Sequence, residues 1–100
     1  MQDITIEELK DRMDKEEDLY IIDVREPHEY EAYNIGAELI PLGTLINSVD
    51  DLEDYKNDEI VLHCRSGARS GQAKAFLTAN GFTKARNLLG GMMAWQEKYG

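Results

Sequence analysis

The sequence predicts an α/β domain built on a mainly parallel central sheet flanked by helices. Three observations carry this. The runs at residues 19–24 and 60–63 are short and nearly continuously apolar rather than alternating, the pattern of strands buried on both faces. Stretches with helical spacing of apolar residues separate the strand candidates, so strands and helices alternate along the chain. At 100 residues the chain is long enough for one hydrophobic core and too short for two, so residues 1–100 are expected to form one domain. The 42% hydrophobic and 31% charged content fits a globular protein.

In order along the chain, residues 1–3 form a ragged start and Ile4 pairs briefly at a sheet edge. Thr5-Ile6-Glu7-Glu8 reads as a capping box, with Thr5 as cap and Glu8 reaching back. Ile6, Leu9 and Met13 share the face of the helix that follows. Residues 14–18 form a solvated charged turn. The strand at 19–24 stops at Arg25-Glu26-Pro27, and Pro27 opens a short helix. Asp23, near the end of an apolar strand, needs a partner. Arg25 is the nearest, paired either with Asp23 or with Glu29, and both Asp23 and Arg25 are read as structural. His28 lies in a charged, solvated segment.

Asn34-Ile35-Gly36-Ala37 is a turn, and Glu38-Leu39-Ile40 a short strand ended by Pro41. Leu42, Leu45, Ile46, Val49 and Leu52 mark an amphipathic helical region broken near Asn47-Ser48. Residues 50–59 are an acidic connector into the strand at 60–63. A helix over 70–79 follows, with Ala73, Phe76 and Leu77 toward the core, and Asn80-Gly81 stops it. Arg86-Asn87-Leu88-Leu89 is the last strand. Gly90-Gly91 then leads into a closing helix over 92–99 around Trp95.

The chemistry concentrates at Cys64-Arg65-Ser66-Gly67-Ala68-Arg69-Ser70. A buried strand runs into the only cysteine, and a short loop leads to a helix start, a geometry that aims backbone N–H groups at an anion. In a parallel sheet this loop lies at the carboxyl edge, where ligands bind. The helix N-terminus and the nearby arginines lower the thiol pKa, and Arg65 and Arg69 offer planar donors to an oxyanion. A merely structural cysteine has no use for flanking arginines or for Gly67.

Eleven basic against 20 acidic residues give a net charge of -9, which argues against nucleic acid and anionic membrane surfaces as partners. No apolar run approaches a membrane span, and the acidic, polar N-terminus does not read as a signal peptide. One cysteine excludes an internal disulfide and leaves a free thiol, for which a reducing cytoplasm is the expected home. One Cys and two His assemble no zinc site of the usual spacing, and no metal or cofactor is expected.

Four segments taken together resemble the rhodanese family of sulfurtransferases in its single-domain form. Asp23-Val24-Arg25-Glu26-Pro27-His28-Glu29-Tyr30 is similar to that family's first signature, and Ile35-Gly36-Ala37 with Ile40-Pro41-Leu42 to its second. The segment 64–70 matches the active-site loop, and Gly90-Gly91 with Ala94-Trp95 the C-terminal signature. Asn34 stands where the family commonly has His, and one residue between Ile35 and Gly36 is missing, which shortens that turn.

The resemblance implies that Cys64 takes a sulfane sulfur from a small anionic donor such as thiosulfate, holds it as a persulfide and passes it to a thiophilic acceptor. That acceptor would be a thiol, cyanide or a thioredoxin-like protein. The motif places backbone donors from Arg65 through Arg69, with the Ser66 and Ser70 hydroxyls nearby and Ala68 inside the loop. Arg65 or Arg69 would hold the donor anion; alternatively Arg69 braces the loop by pairing with a carboxylate. Cys64 is expected to be fairly accessible, which would admit a protein acceptor.

Two other readings compete. Cysteine-dependent phosphatases and arsenate reductases also place Cys before an Arg-ended anion loop, but theirs is one residue longer. Here only Arg65-Ser66-Gly67-Ala68 separate Cys64 from Arg69. No general-acid Asp lies close to the loop. His63 precedes Cys64 on the strand and points to the other face, a poor base. The third reading is a persulfide carrier or binding module without turnover, against which the intact Cys64 loop argues.

Overall fold

The computed structural model describes all 100 residues, Met1–Gly100. Four strands, β1 (Tyr20–Asp23), β2 (Glu38–Leu39), β3 (Ile60–His63) and β4 (Ala85–Asn87), form one sheet in the order β2-β1-β3-β4. Every pairing is parallel, and Asp23 sits opposite His63, so the carboxyl ends of the two central strands are level. The helices are α1 (Ile6–Asp14), α2 (Pro27–Ala32), α3 (Leu42–Asn47), α4 (Ala68–Ala79) and α5 (Gly91–Tyr99). A 3-10 helix over Val49–Tyr55 follows α3, with Ser48 at the expected break.

The single core expected from the chain length does not hold: the sheet is covered on both faces, and strand alternation sends side chains to two separate cores. Ile22, Ile60 and Leu62 pack with Leu45, Leu52, Ala73, Leu77 and Phe82 beneath α3 and α4. Val61 packs with Ile4, Leu9, Leu88, Met92 and Trp95 on the side of α1 and α5. All four residues of β3 are buried, as their unbroken apolar run requires. Each such Leu or Ile contributes roughly 1.5–3 kcal/mol by leaving water.

Several boundaries differ from the expectations, each for a local reason. α4 begins at Ala68 rather than Ser70, because Gly67 takes φ +107° and makes the whole turn by itself. Its carbonyl already accepts the Gly71 N–H at 2.9 Å. The last strand runs over Ala85–Asn87 rather than 86–89; beyond it, Leu88 bridges to Ile4, the predicted edge pairing. α5 starts at Gly91, one residue before the expected position.

Thr5 Oγ1 accepts the Glu8 N–H at 3.1 Å, but the Glu8 carboxylate does not return to the cap. It accepts from Arg86 at 2.8 Å instead, beside Glu59, which also binds Arg12. A charge pair across the fold outcompetes a local bond to an exposed N–H. In the turn at 34–37, Asn34 Oδ1 accepts the Gly36 N–H at 2.9 Å while Nδ2 donates to Tyr30 O at 3.0 Å, so Asn34 closes the turn with its own side chain. No helix is long and apolar enough to cross a membrane.

Candidate active site

Because the strands are parallel, the turns after β1 and β3 meet at one edge of the sheet. Cys64 follows Leu62 with the same parity and belongs to the core beneath α3 and α4. Its sulfur then sits at the floor of the loop that carries the chain into α4. Cys64 Sγ accepts the Gly67 N–H at 3.1 Å and lies 3.3 Å from Ser70 Oγ.

The cradle is held open from behind by α5. Met92 N–H donates to Cys64 O and Met93 N–H to Arg65 O, both at 2.9 Å. In a trans peptide the N–H points opposite to its C=O, so the amides of Arg65 and Ser66 face away from α5. This close approach requires glycine at position 91. A Cβ there would lie 2.6 Å from both Cys64 O and Arg65 O, and its φ is +56°.

Burial pushes the Cys64 thiol up. Hydrogen bonds from the Ser70 hydroxyl and from the N–H groups of Ser70, Gly67 and Ser66 more than offset it, leaving the pKa below the ordinary cysteine value. The accessibility expected for Cys64 does not hold: the residue is only 1% exposed. Gly67 and Ser70 wrap the sulfur from two sides, and Arg65, Ser66 and Ala68 form the exposed rim instead.

The two loop arginines part company. Arg69 forms a two-pronged pair with Glu29 of α2, at 2.7 and 2.9 Å. Those bonds from Arg69 hold the Glu29 carboxyl down to about 2. This ion pair joins α2 to α4. Arg65 is exposed. The other arginines, Arg12, Arg25, Arg69 and Arg86, all engage carboxylates, and Arg65 engages none.

Asp23 and Arg25 do pair with each other. The Asp23 carboxylate, 0% exposed, accepts the Arg25 N–H at 3.0 Å and its Nη2 at 2.8 Å, and the same Nη2 reaches Tyr33 O at 2.7 Å. The pair ties the end of β1 to the far end of α2. His63 is fully buried, with Nε2 3.7 Å from Asp23 Oδ2, and neither ring nitrogen has a hydrogen-bond partner. Burial, only partly opposed by Asp23, pushes its pKa down to about 4, so the ring is neutral near pH 7.

One residue of the site escaped the sequence reading. Asn87, at the end of β4, donates from Nδ2 to Gly67 O at 3.1 Å and accepts from Ser70 Oγ at Oδ1, 2.6 Å away. The available signal was a polar side chain at the carboxyl end of a parallel strand, where the loop of the neighbouring strand turns. No cluster of three His, Cys, Asp or Glu side chains is placed to hold a metal ion. The two clefts, of about 550 and 360 Å³, are lined around Tyr20 and Tyr55, and no loop residue lines either.

Comparison with known proteins agrees with this geometry. The family model for the rhodanese-like domain matches residues 5–98. The "Probable adenylyltransferase/sulfurtransferase MoeZ" of Mycobacterium tuberculosis is 42% identical over 97 residues, covering 95% of this chain but only 24% of that protein. A protein of Allochromatium vinosum named "Sulfurtransferase" is 35% identical, over 95% of this chain and 88% of its own length. The crystal structure of a rhodanese-like domain protein from Staphylococcus aureus superposes with a TM-score of 0.80 at 37% identity, covering 95% of this chain and 91% of that one. With the parallel sheet, the cysteine loop and the match along nearly all its length, the chain belongs to the rhodanese-like domain family.

Proposed function

We propose that this protein is a sulfurtransferase that carries sulfane sulfur as a Cys64 persulfide. The thiolate attacks the outer sulfur of a small anionic donor such as thiosulfate. The S–S bond of the donor breaks, sulfite leaves with the bonding pair, and Cys64 keeps the transferred sulfur with its negative charge. An acceptor then attacks that sulfur and the Cys64 thiolate returns as leaving group. A small thiol, cyanide or a thioredoxin-like protein has the required chemistry. A mechanism that returns a free thiolate at each turn suits a reducing compartment such as the cytoplasm. Relatives named as sulfurtransferases support this reading.

The observation that carries it is the cradle itself. Donors at 3.1 and 3.3 Å from Sγ suit a charged sulfur, as an oxyanion hole suits an oxygen. The same geometry speaks against phosphoryl or arsenate chemistry. That chemistry needs a loop arginine over the nucleophile, whereas Arg69 is turned to Glu29 and the residue after it is Ser70. Arg65, unpaired at the rim, is the group we assign to the donor's sulfonate end. Asp23, Arg25 and Arg69 brace the turns around the loop.

The test is the intact mass after incubation with thiosulfate. The protein should gain the mass of one sulfur atom, lose it on addition of a thiol, and gain nothing as Cys64→Ser. Hydrolysis of an aryl phosphate by the wild type, abolished in Cys64→Ser, would overturn the reading in favour of a phosphatase.

A further inference from the structure

The Ser70 hydroxyl has one proton and two acceptors. Asn87 Oδ1 lies 2.6 Å from Ser70 Oγ and Cys64 Sγ lies 3.3 Å from it. A neutral thiol is a weak acceptor and an amide oxygen a good one, so with a protonated sulfur the hydroxyl belongs to Asn87. A thiolate reverses that order, because hydrogen bonds to an ionised acceptor are about twice as strong. Ser70 is fully buried, so water cannot supply the missing partner in either state.

Asn87 cannot turn its amide the other way. Its Nδ2 is held by Gly67 O at 3.1 Å, and its backbone N–H is held by Asp3 Oδ1 at 3.0 Å. Asp3 is itself fixed by Lys74 at 2.6 Å. Only Oδ1 is left to face Ser70. A side chain so anchored on the loop and on β4 at once serves more than packing.

We propose that Asn87 is a positioning residue acting on Cys64 through Ser70: it holds the hydroxyl proton while the sulfur is uncharged and yields it, by rotation of the hydroxyl, when the sulfur becomes anionic. No proton changes owner in this step. Competition from Asn87 weakens the Ser70 bond to the thiolate and keeps the sulfur more nucleophilic than one with an undivided donor. The proposal rests on Cys64 being the nucleophile of the sulfur-transfer reading. Its test needs no sulfur donor, so the two fail separately.

The test is the pH–rate profile of Cys64 alkylation by iodoacetamide on the whole chain. The variants are Asn87→Leu, Ser70→Ala and the double substitution. The other titratable and charged groups that face the loop and Asn87 are Arg65, Arg69 with Glu29, Asp23 with Arg25, Asp3 with Lys74, and the neutral His63, and none is altered. Asn87→Leu should free Ser70 to donate to sulfur alone. The apparent Cys64 pKa should then fall by about half to one unit, and the thiolate should react about two- to threefold more slowly at high pH. In the Ser70→Ala background the same substitution should lower nothing. A purely structural Asn87 predicts the opposite sign, since a loosened cradle withdraws N–H donors and raises the pKa in both backgrounds. A rise, or no change, with Ser70 present overturns the proposal.

If Asn87→Leu does not fold, Asn87→Asp carries the test. A carboxylate holds the Ser70 proton harder, so the Cys64 pKa should rise more with Ser70 present than in Ser70→Ala. Equal rises would mean that only charge at a distance is felt, and would also overturn the proposal.

Discussion

Replacing Gly91 by alanine tests the support of the cradle directly. The new Cβ would sit 2.6 Å from Cys64 O and from Arg65 O, both backbone atoms that no rotamer change can move aside. The φ of +56° adds roughly 1–2 kcal/mol for any L side chain. Relieving the clash means moving α5 off the loop, which weakens the two 2.9 Å bonds from Met92 and Met93, each worth roughly 0.5–1.5 kcal/mol. Gly91→Ala should therefore cost about 2–5 kcal/mol, a large share of the ordinary stability of a small domain.

Two other glycines serve as controls. Gly36 also has a positive φ, +83°, but a Cβ there meets nothing within 4 Å, so Gly36→Ala should cost only the backbone share of roughly 1–2 kcal/mol. Gly43, inside α3 with open space and no positive φ, should gain up to about 1 kcal/mol as alanine. Urea midpoints at constant m-value read the three, and iodoacetamide alkylation of the folded Gly91→Ala protein reads the cradle, which should react with a raised Cys64 pKa. The reasoning is refuted if Gly91→Ala is no less stable than Gly36→Ala, or if it is less stable with an unchanged thiol.

Two further outcomes follow from the pairing of charges. Arg65→Ala should lower kcat/KM for thiosulfate by about one to two orders of magnitude, the worth of a charge-assisted bond of roughly 1.5–3 kcal/mol, without moving the melting temperature. Arg69→Ala should chiefly destabilise, by about 1 kcal/mol for a partly buried pair, so an effect on thiosulfate KM larger than that of Arg65→Ala would reverse the assignment. His63 gives stability a pH dependence. Its pKa falls from 6.5 to about 4 on folding, so between these values the unfolded chain binds more protons. Stability should therefore be full above about pH 6.5 and fall as pH drops toward 4, by up to about 3 kcal/mol, a loss that His63→Phe should remove. An unfolding free energy that is flat between pH 6.5 and 5 in the wild type would contradict a buried neutral His63.

The strands and helices were legible because their signals are local. The unbroken apolar runs of β1 and β3, Pro27 at the start of α2, and the weak point at Asn47-Ser48 each report on a few neighbouring residues. The cysteine loop was legible for the same reason, as a strand, a glycine and two arginines in one short segment. What sequence did not disclose was which partner each loop side chain would find. Glu29 lies 40 positions from Arg69, and Asn87 lies 17 from Ser70. Both contacts depend on how parallel strands bring their carboxyl ends together. The burial of Cys64 belongs to the same class, since it results from the bonds that Gly67, Ser70 and α5 make around it.

These distant pairings also decide how an anionic donor is met. The chain carries a net charge of -9, so its long-range field repels thiosulfate rather than steering it. Four of the arginines have their guanidinium groups directed at Glu59, Asp23, Glu29 and Glu8. Arg65 is left at the rim of the one loop whose backbone amides converge on a sulfur. Selection of the donor on the proposed reading is then a contact event, made within the reach of a single side chain and inside the Debye length at physiological salt. Added salt should screen the repulsion from the acidic surface as well as the attraction of Arg65. Removing Arg65 should leave the repulsion alone, so thiosulfate turnover should rise more steeply with ionic strength in Arg65→Ala than in the wild type.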